Sequence, residues 1–193
     1  MNKLAPLGSS SHSKEEREKN DYYATDPIAI DLLWQVEPHL FEEANIWEPA
    51  CGEGHMAKRI ELYGCTHGST VYSSDIVYRN FGEKLDFLKT DWLEYPGNII
   101  TNPPYKNAQE FIEKSLDIIS EGFYVAMFLK LLFLEGKKRK QLFKKYPPKI
   151  IYISSSRIEC GKSGVFKGSS AVAYAWYIWE KGYTGETIIK WIN

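Results

Sequence analysis

The chain has 193 residues, 44% of them hydrophobic and 15% aromatic, enough for a substantial core in a single domain. Its formal net charge is −1, so no global field draws it to nucleic acid and any such attraction must be local. Three cysteines without a CxxC pair, 4 scattered histidines and a longest apolar stretch (VAMFLKLLFL, 125–134) interrupted by Lys130 argue against a disulfide framework, a metal site and a membrane span.

Residues 1–20, Ser-rich and then charged, read as a flexible arm ahead of one domain over 21–193, and with no signal-peptide pattern a cytoplasmic location is the default. In DYYATDPIAIDLLWQVEP, Asp26 suits an N-cap and Pro27 the first helical position. Ile28, Leu32 and Val36 share a face, and Pro38 marks the end. Strand and helix patterns then alternate. ANIWEPA (44–50) reads as a strand and HMAKRIELYG as a helix closed by Gly64. TVYSSDI (70–76), a short segment at 84–88 and NIIT (98–101) are further strands. A helix follows from Asn107, with Glu110 completing a capping box and Ile112, Leu116 and Ile119 on one face. Residues 121–130, 149–155 and 171–181 complete the strands. The alternation predicts an α/β, doubly wound, mostly parallel sheet, with the last two strands paired antiparallel because no helical period joins them.

The first strand runs into WEPACGEGHMA, where Gly52, Gly54 and Ala57 match G-x-G-x-x-A, and Asp75 ends the next strand. A tight strand-to-helix turn explains such a glycine pair equally well, and a dinucleotide site is a fair reading. Glu48 separates the ligands: its carboxylate repels a pyrophosphate and attracts the ammonium and sulfonium of S-adenosylmethionine, while Asp75 suits the ribose hydroxyls of either. The fourth strand stops abruptly at Asn102-Pro103-Pro104-Tyr105. Prolines end ladder pairing, so this is a strand end at the least. It is also a rigid display of a side-chain amide, a backbone carbonyl and an aromatic ring.

With IWEPACGEGHM and IITNPPYK together, the sequence resembles the S-adenosylmethionine-dependent DNA adenine-N6 methyltransferases, in the compact form found in phages and prophages. The likeness spans roughly 20–193 and includes NDYYATDP, SSDI, LDFL, FLKLLFLEGKKRK and SSAVAYAWYIWEKG. It implies a Rossmann-like methyltransferase sheet of seven strands in the order 3-2-1-4-5-7-6 and, as cofactor, S-adenosylmethionine. Tyr23 and Thr25 would lie at the cofactor's methionine end. Glu48, Ala50, Gly52 and Gly54 would wall its amino-acid portion, Asp75 and Ile76 its ribose, and Asp86 and Phe87 its adenine. Asp91-Trp92 is a second acidic–aromatic pair; Asp86-Phe87 is the preferred one. Asn102, Pro103, Pro104 and Tyr105 would be the catalytic group: Asn102 and the Pro103 carbonyl accept the two hydrogens of the target amine, and Tyr105 stacks on the base. No metal is required.

The partner implied is DNA, with RNA as an alternative because no feature reads the sugar. GKKRKQLFKKYPPK (136–149) packs Lys137, Lys138, Arg139, Lys140, Lys144, Lys145 and Lys149 without an acid, which reads either as a solvated helix face or as a phosphate-tracking edge. The linker at 157–170 sets Arg157, Lys162 and Lys167 around Phe166, a second stacking aromatic or a core residue. Alternatives to DNA methylation are a protein-glutamine N5 or RNA adenine methyltransferase, a non-catalytic nucleic-acid-binding protein and, more remotely, a dehydrogenase.

Overall fold

The structure, a computed structural model, describes residues 22–161, 164, 166 and 170–193. The expected arm over 1–20 and the linker residues Lys162 and Lys167 lie outside the described residues.

In chain order the elements are β1 (Ala24–Thr25), α1 (Ile28–Val36), β2 (Asn45–Glu48), α2 (His55–Thr66), β3 (Thr70–Asp75), β4 (Glu83–Lys84), β5 (Gly97–Thr101), α3 (Ala108–Ile118), β6 (Tyr124–Lys130), α4 (Lys137–Lys145), β7 (Ile150–Ser154), β8 (Cys160–Gly161), β9 (Tyr174–Glu180) and β10 (Ile188–Ile192). Among the described residues eight strands form the main sheet, in the order β10-β7-β9-β6-β5-β2-β3-β4. The β9 strand runs antiparallel to both its neighbours, β6 and β7, and the other pairings are parallel.

The seven strands expected from sequence thus lie in the expected order, and an eighth, β10, extends the edge beside β7. Its sequence, IIKWI, is as apolar as the inner strands, yet Ile188, Ile189 and Trp191 are exposed and Ile192 alone is buried. A separate two-stranded ladder, β1 with β8, pairs Ala24 with Gly161 and Thr25 with Cys160. Two residues per strand are too few for a sequence period.

The sheet is buried on both faces, and consecutive strand residues divide between two cores. Ile46, Ile100, Phe128, Tyr152 and Trp176 pack with Ala29, Leu33, Met56 and Ile60 of α1 and α2. Trp47, Ile99, Met127, Ile151 and Tyr177 pack with Phe111, Ile112 and Leu116 of α3 and Leu142 of α4. This division is why the strands read as unbroken apolar runs and not as alternating ones.

Several local expectations are corrected. In α1 the buried residues are Ala29, Ile30, Leu32 and Leu33, while Ile28 is exposed, because the helix is gripped by α2 and β9 and not along a single stripe; Trp176 Nε1 donates to the Ala29 carbonyl at 2.8 Å. Asp26 does accept the Ile28 N–H at 3.0 Å. Gly64 does not close α2, which continues to Thr66; the missing side chain lets the helix approach Ile46 and Val71. Asn107 makes no side-chain cap to α3, so the capping box is not formed. The third strand is only Glu83–Lys84, and Phe87–Lys89 is a 3-10 turn.

Candidate active site

Parallel pairing brings the carboxyl ends of β2, β3 and β5 to one edge. Glu48 lies level with Ser73, and Trp47 with Ile99, so Asp75 and Asn102 project on either side of the glycine loop leaving β2. The connections run in opposite directions from this point, β2 through α2 to β3 and β5 through α3 to β6. Open α/β sheets place ligands in such a crevice.

A cleft of about 300 Å³ occupies it. One wall is Pro49, Ala50, Asp75 and Ile76; a second is Leu85, Asp86, Phe87 and Leu88; a third is Asn102, Pro103, Pro104 and Tyr105. Tyr22, Tyr23 and Arg79 close over it, with Phe111 and Asn107 at the end of α3. Asp91 and Trp92 are not part of it: Trp92 packs against Trp47 with ring centroids 4.6 Å apart. Phe87 sits between Trp47 and Phe111, at 5.0 and 4.8 Å, and Asp86 pairs with Lys89 at 3.0 Å.

The glycine loop needs its glycines for steric reasons. Gly52 and Gly54 have φ of +56° and +81°. A Cβ on Gly52 would strike the Tyr22 ring, and one on Gly54 the Phe81 ring. Gly52 N–H donates to Asp75 Oδ2 at 2.9 Å, while Asp75 Oδ1 accepts the Val77 N–H and Arg79 Nη1, both at 2.9 Å. The Arg79 guanidinium also lies 4.3 Å over the Tyr22 ring. Tyr22 and Arg79 therefore form a cover anchored on the Asp75 carboxylate.

Behind the cleft a cavity of about 20 Å³ is bounded by Thr25, Glu48, His55, Met56 and Asn102. Three buried polar atoms at its walls have no partner: Glu48 Oε2, His55 Nδ1 and Asn102 Oδ1. Burial first, then the charges of Asp75 and Glu61, holds the Glu48 carboxyl well above its ordinary range. Next to it Cys51 is pushed up to about 12 by burial and then by Glu48 and Asp75, so it remains an unreactive thiol.

Asn102 Nδ2 donates to Thr25 Oγ1 at 2.7 Å. The Tyr105 ring is stacked with Tyr23 at 5.8 Å, carries Lys130 Nζ 3.9 Å from its centroid, and its hydroxyl meets that of Tyr174 at 2.9 Å. The expected stacking face of Tyr105 is thus already partnered by Tyr23. Phe166 does not line the cleft; it meets the His55 ring edge-on at 5.8 Å. Lys137, Lys138 and Arg139 line a separate groove of about 580 Å³ that begins at Tyr105 and Lys106. Lys140 stands farther along α4 with Leu134 and Phe143. Arg139 is committed internally, donating to the Leu132 and Glu135 carbonyls at 3.0 and 3.2 Å.

Sequence reasoning did not single out Tyr22, Arg79, His55, Cys160 or Tyr174. Tyr22 had a signal, as the neighbour of Tyr23 in NDYYATDP; the others are brought in by the fold.

No family model and no curated protein matches the sequence. Solved structures match the fold. A Listeria monocytogenes protein assigned as a class I S-adenosylmethionine-dependent methyltransferase superposes with a TM-score of 0.64 at 16% identity, covering 92% of this chain and 68% of its own. The type I restriction-modification methyltransferase subunit of Streptococcus thermophilus gives 0.60 at 12% identity, over 90% of this chain and 49% of its own. A Pyrococcus horikoshii protein assigned as an RNA methyltransferase gives 0.58 at 14% identity, over 87% and 91%. The chain has the Rossmann-like methyltransferase fold. It spans about half the length of the restriction-modification subunit.

Among the described residues no helix is long and apolar enough to cross a membrane, and no cluster of His, Cys, Asp and Glu is arranged to hold a metal.

Proposed function

We propose that this protein transfers a methyl group from S-adenosylmethionine to the exocyclic N6 amine of adenine in DNA. The observation that carries the reading is the unpartnered, buried Asn102 Oδ1 at the end of β5: Asn102 borders both the cleft, with Asp75, Pro103, Pro104 and Tyr105, and the small cavity behind it, with Glu48.

The residues fit the cofactor. Glu48 Oε2 is an orphaned acceptor in the wall behind the cleft, and an orphaned acceptor calls for a donor such as an ammonium. The seat of the Tyr22 ring over Gly52 narrows the approach of a pyrophosphate to the loop. Glu48, Ala50 and Tyr23 would hold the amino-acid portion, Asp75 and Ile76 the ribose, and Asp86 with Phe87 the adenine. When bound, S-adenosylmethionine supplies an electrophilic methyl on a sulfonium.

The chain's own task is to make a poor nucleophile attack. The adenine N6 lone pair is delocalised into the ring. Asn102 Oδ1 accepts one N6 hydrogen and the Pro103 carbonyl the other, so the nitrogen is oriented and the positive charge it gains is stabilised. The two prolines keep those acceptors from relaxing. A target in duplex DNA must also leave the stack, at a cost of a few kcal/mol that stacking with Tyr105 and Tyr23 offsets.

Asn102→Ala should keep the fold and hold cofactor affinity within about threefold while lowering single-turnover methylation about 10²–10³-fold, the scale of losing one oxyanion-hole donor. Incubation with labelled cofactor and unmethylated DNA, RNA or protein, followed by digestion, identifies the product. Label in N6-methyladenine from DNA supports the reading; label in glutamine or RNA alone replaces it.

A further inference from the structure

We infer that Thr25 is a positioning residue for the Asn102 amide, and that the β1–β8 ladder exists to hold it there. The inference rests on the function proposed above and assigns Thr25 a role different from contact with the cofactor's methionine end.

A side-chain amide fits its seat almost equally well in either of two orientations, because oxygen and NH₂ are nearly the same size. The two are chemically opposite. With Oδ1 toward the cleft, Asn102 accepts a hydrogen from an incoming amine; turned over, it presents N–H to N–H and repels the amine. Something outside the Asn102-Pro103-Pro104-Tyr105 segment must select the orientation.

Two acceptors converge on Nδ2. Thr25 Oγ1 lies at 2.7 Å and Cys160 Sγ at 3.8 Å. Both come from the short ladder, where Thr25 pairs directly with Cys160 and the Asp26 N–H donates to the Glu159 carbonyl at 3.0 Å to extend the pairing. Thr25 is 3% exposed, which shields the hydroxyl from bulk solvent. Oδ1 is left buried and unpartnered, an arrangement that costs free energy unless a ligand completes it.

A ligand-binding role and a positioning role predict different losses. Thr25→Val keeps the shape and removes the acceptor; Thr25→Ser keeps the acceptor. The first readout needs no turnover. In ¹⁵N-labelled protein the Asn102 side-chain amide pair is identified by its absence from Asn102→Ala. In Thr25→Val the pair should shift and exchange with solvent about tenfold faster or more, whereas Thr25→Ser should resemble wild type. The second is single-turnover methylation at saturating cofactor. Thr25→Val should fall about tenfold or more with cofactor affinity unchanged, and Thr25→Ser should recover the rate. If valine prevents folding, Thr25→Ala serves in its place.

Unchanged amide signals in Thr25→Val overturn the inference. So does a loss of cofactor affinity with a normal saturated rate, which would make Thr25 a residue that binds the cofactor. A wild-type protein that methylates no DNA refutes the proposed function instead, and the amide signals then decide the role of Thr25 alone.

Discussion

Glu48 concentrates the conflict between folding and binding in one side chain. It is 2% exposed, one carboxyl oxygen has no partner, and its proton affinity is raised by burial and then by Asp75 and Glu61. Because the folded-state value lies above 4.5, the folded protein keeps a proton that the unfolded chain has already released. The stability cost is therefore absent below the unfolded value and grows as pH rises toward the folded one. Glu48→Gln should raise the thermal midpoint of the ligand-free protein at neutral pH and weaken S-adenosylmethionine binding by about 1–3 kcal/mol, through the absence of a charge-assisted hydrogen bond. Parallel thermal scans and titration calorimetry check both signs. Calorimetry in buffers of different ionisation enthalpy should also detect protons released from wild type as a cationic ligand lowers the Glu48 pKa, and none from Glu48→Gln.

At the scale of elements, α4 shows how a run of like charges divides once it is folded. Lys137, Lys138 and Lys140 are exposed, whereas Arg139 folds back over the Phe133 ring at 4.5 Å and ties down the preceding turn. Replacing the three lysines with alanine should weaken binding to all DNA sequences alike and lower the salt slope by about one unit for each phosphate that is no longer neutralised. Arg139→Ala should instead cost about 1–2 kcal/mol of stability, from two hydrogen bonds to carbonyls and the packing of its stem. Anisotropy titrations across a salt series and denaturant unfolding separate the two. A salt slope unchanged in the triple variant would leave α4 a solvated face.

Across the whole molecule, the cleft joins the ends of β2, β3 and β5, which belong to segments far apart in the chain. A ligand seated there ties those segments together and stabilises the fold by mass action. At a hundredfold excess over its dissociation constant, S-adenosylmethionine should add about 2.7 kcal/mol. For a chain of this size that is a rise of roughly 5–10 °C in thermal midpoint. Equal concentrations of NAD should leave the midpoint unchanged. A rise with NAD and none with S-adenosylmethionine would reverse the charge argument built on Glu48.

The strand sequence, the parallel α/β class and the antiparallel β9 were legible because buried strands are apolar runs and crossovers carry a helical period. So were Glu48, Asp75 and Asn102, which follow directly on such runs and are placed by the fold class at one edge. Local chemistry announced Gly52 and Gly54, whose positive φ values only glycine adopts cheaply. What the sequence could not express was any meeting of distant segments. Thr25 and Cys160 reach Asn102 across 77 and 58 residues, through a ladder too short to show a period. Arg79 covers the Asp75 carboxylate, and Tyr23 occupies the stacking face of Tyr105, because of how loops cross the strand ends. The edge strand β10 is itself a short apolar run, IIKWI, and its parallel place beside β7 was decided by packing. Periodicity records which face of an element is buried; it carries no information about which distant side chain meets it there, and that was decided only by tertiary packing.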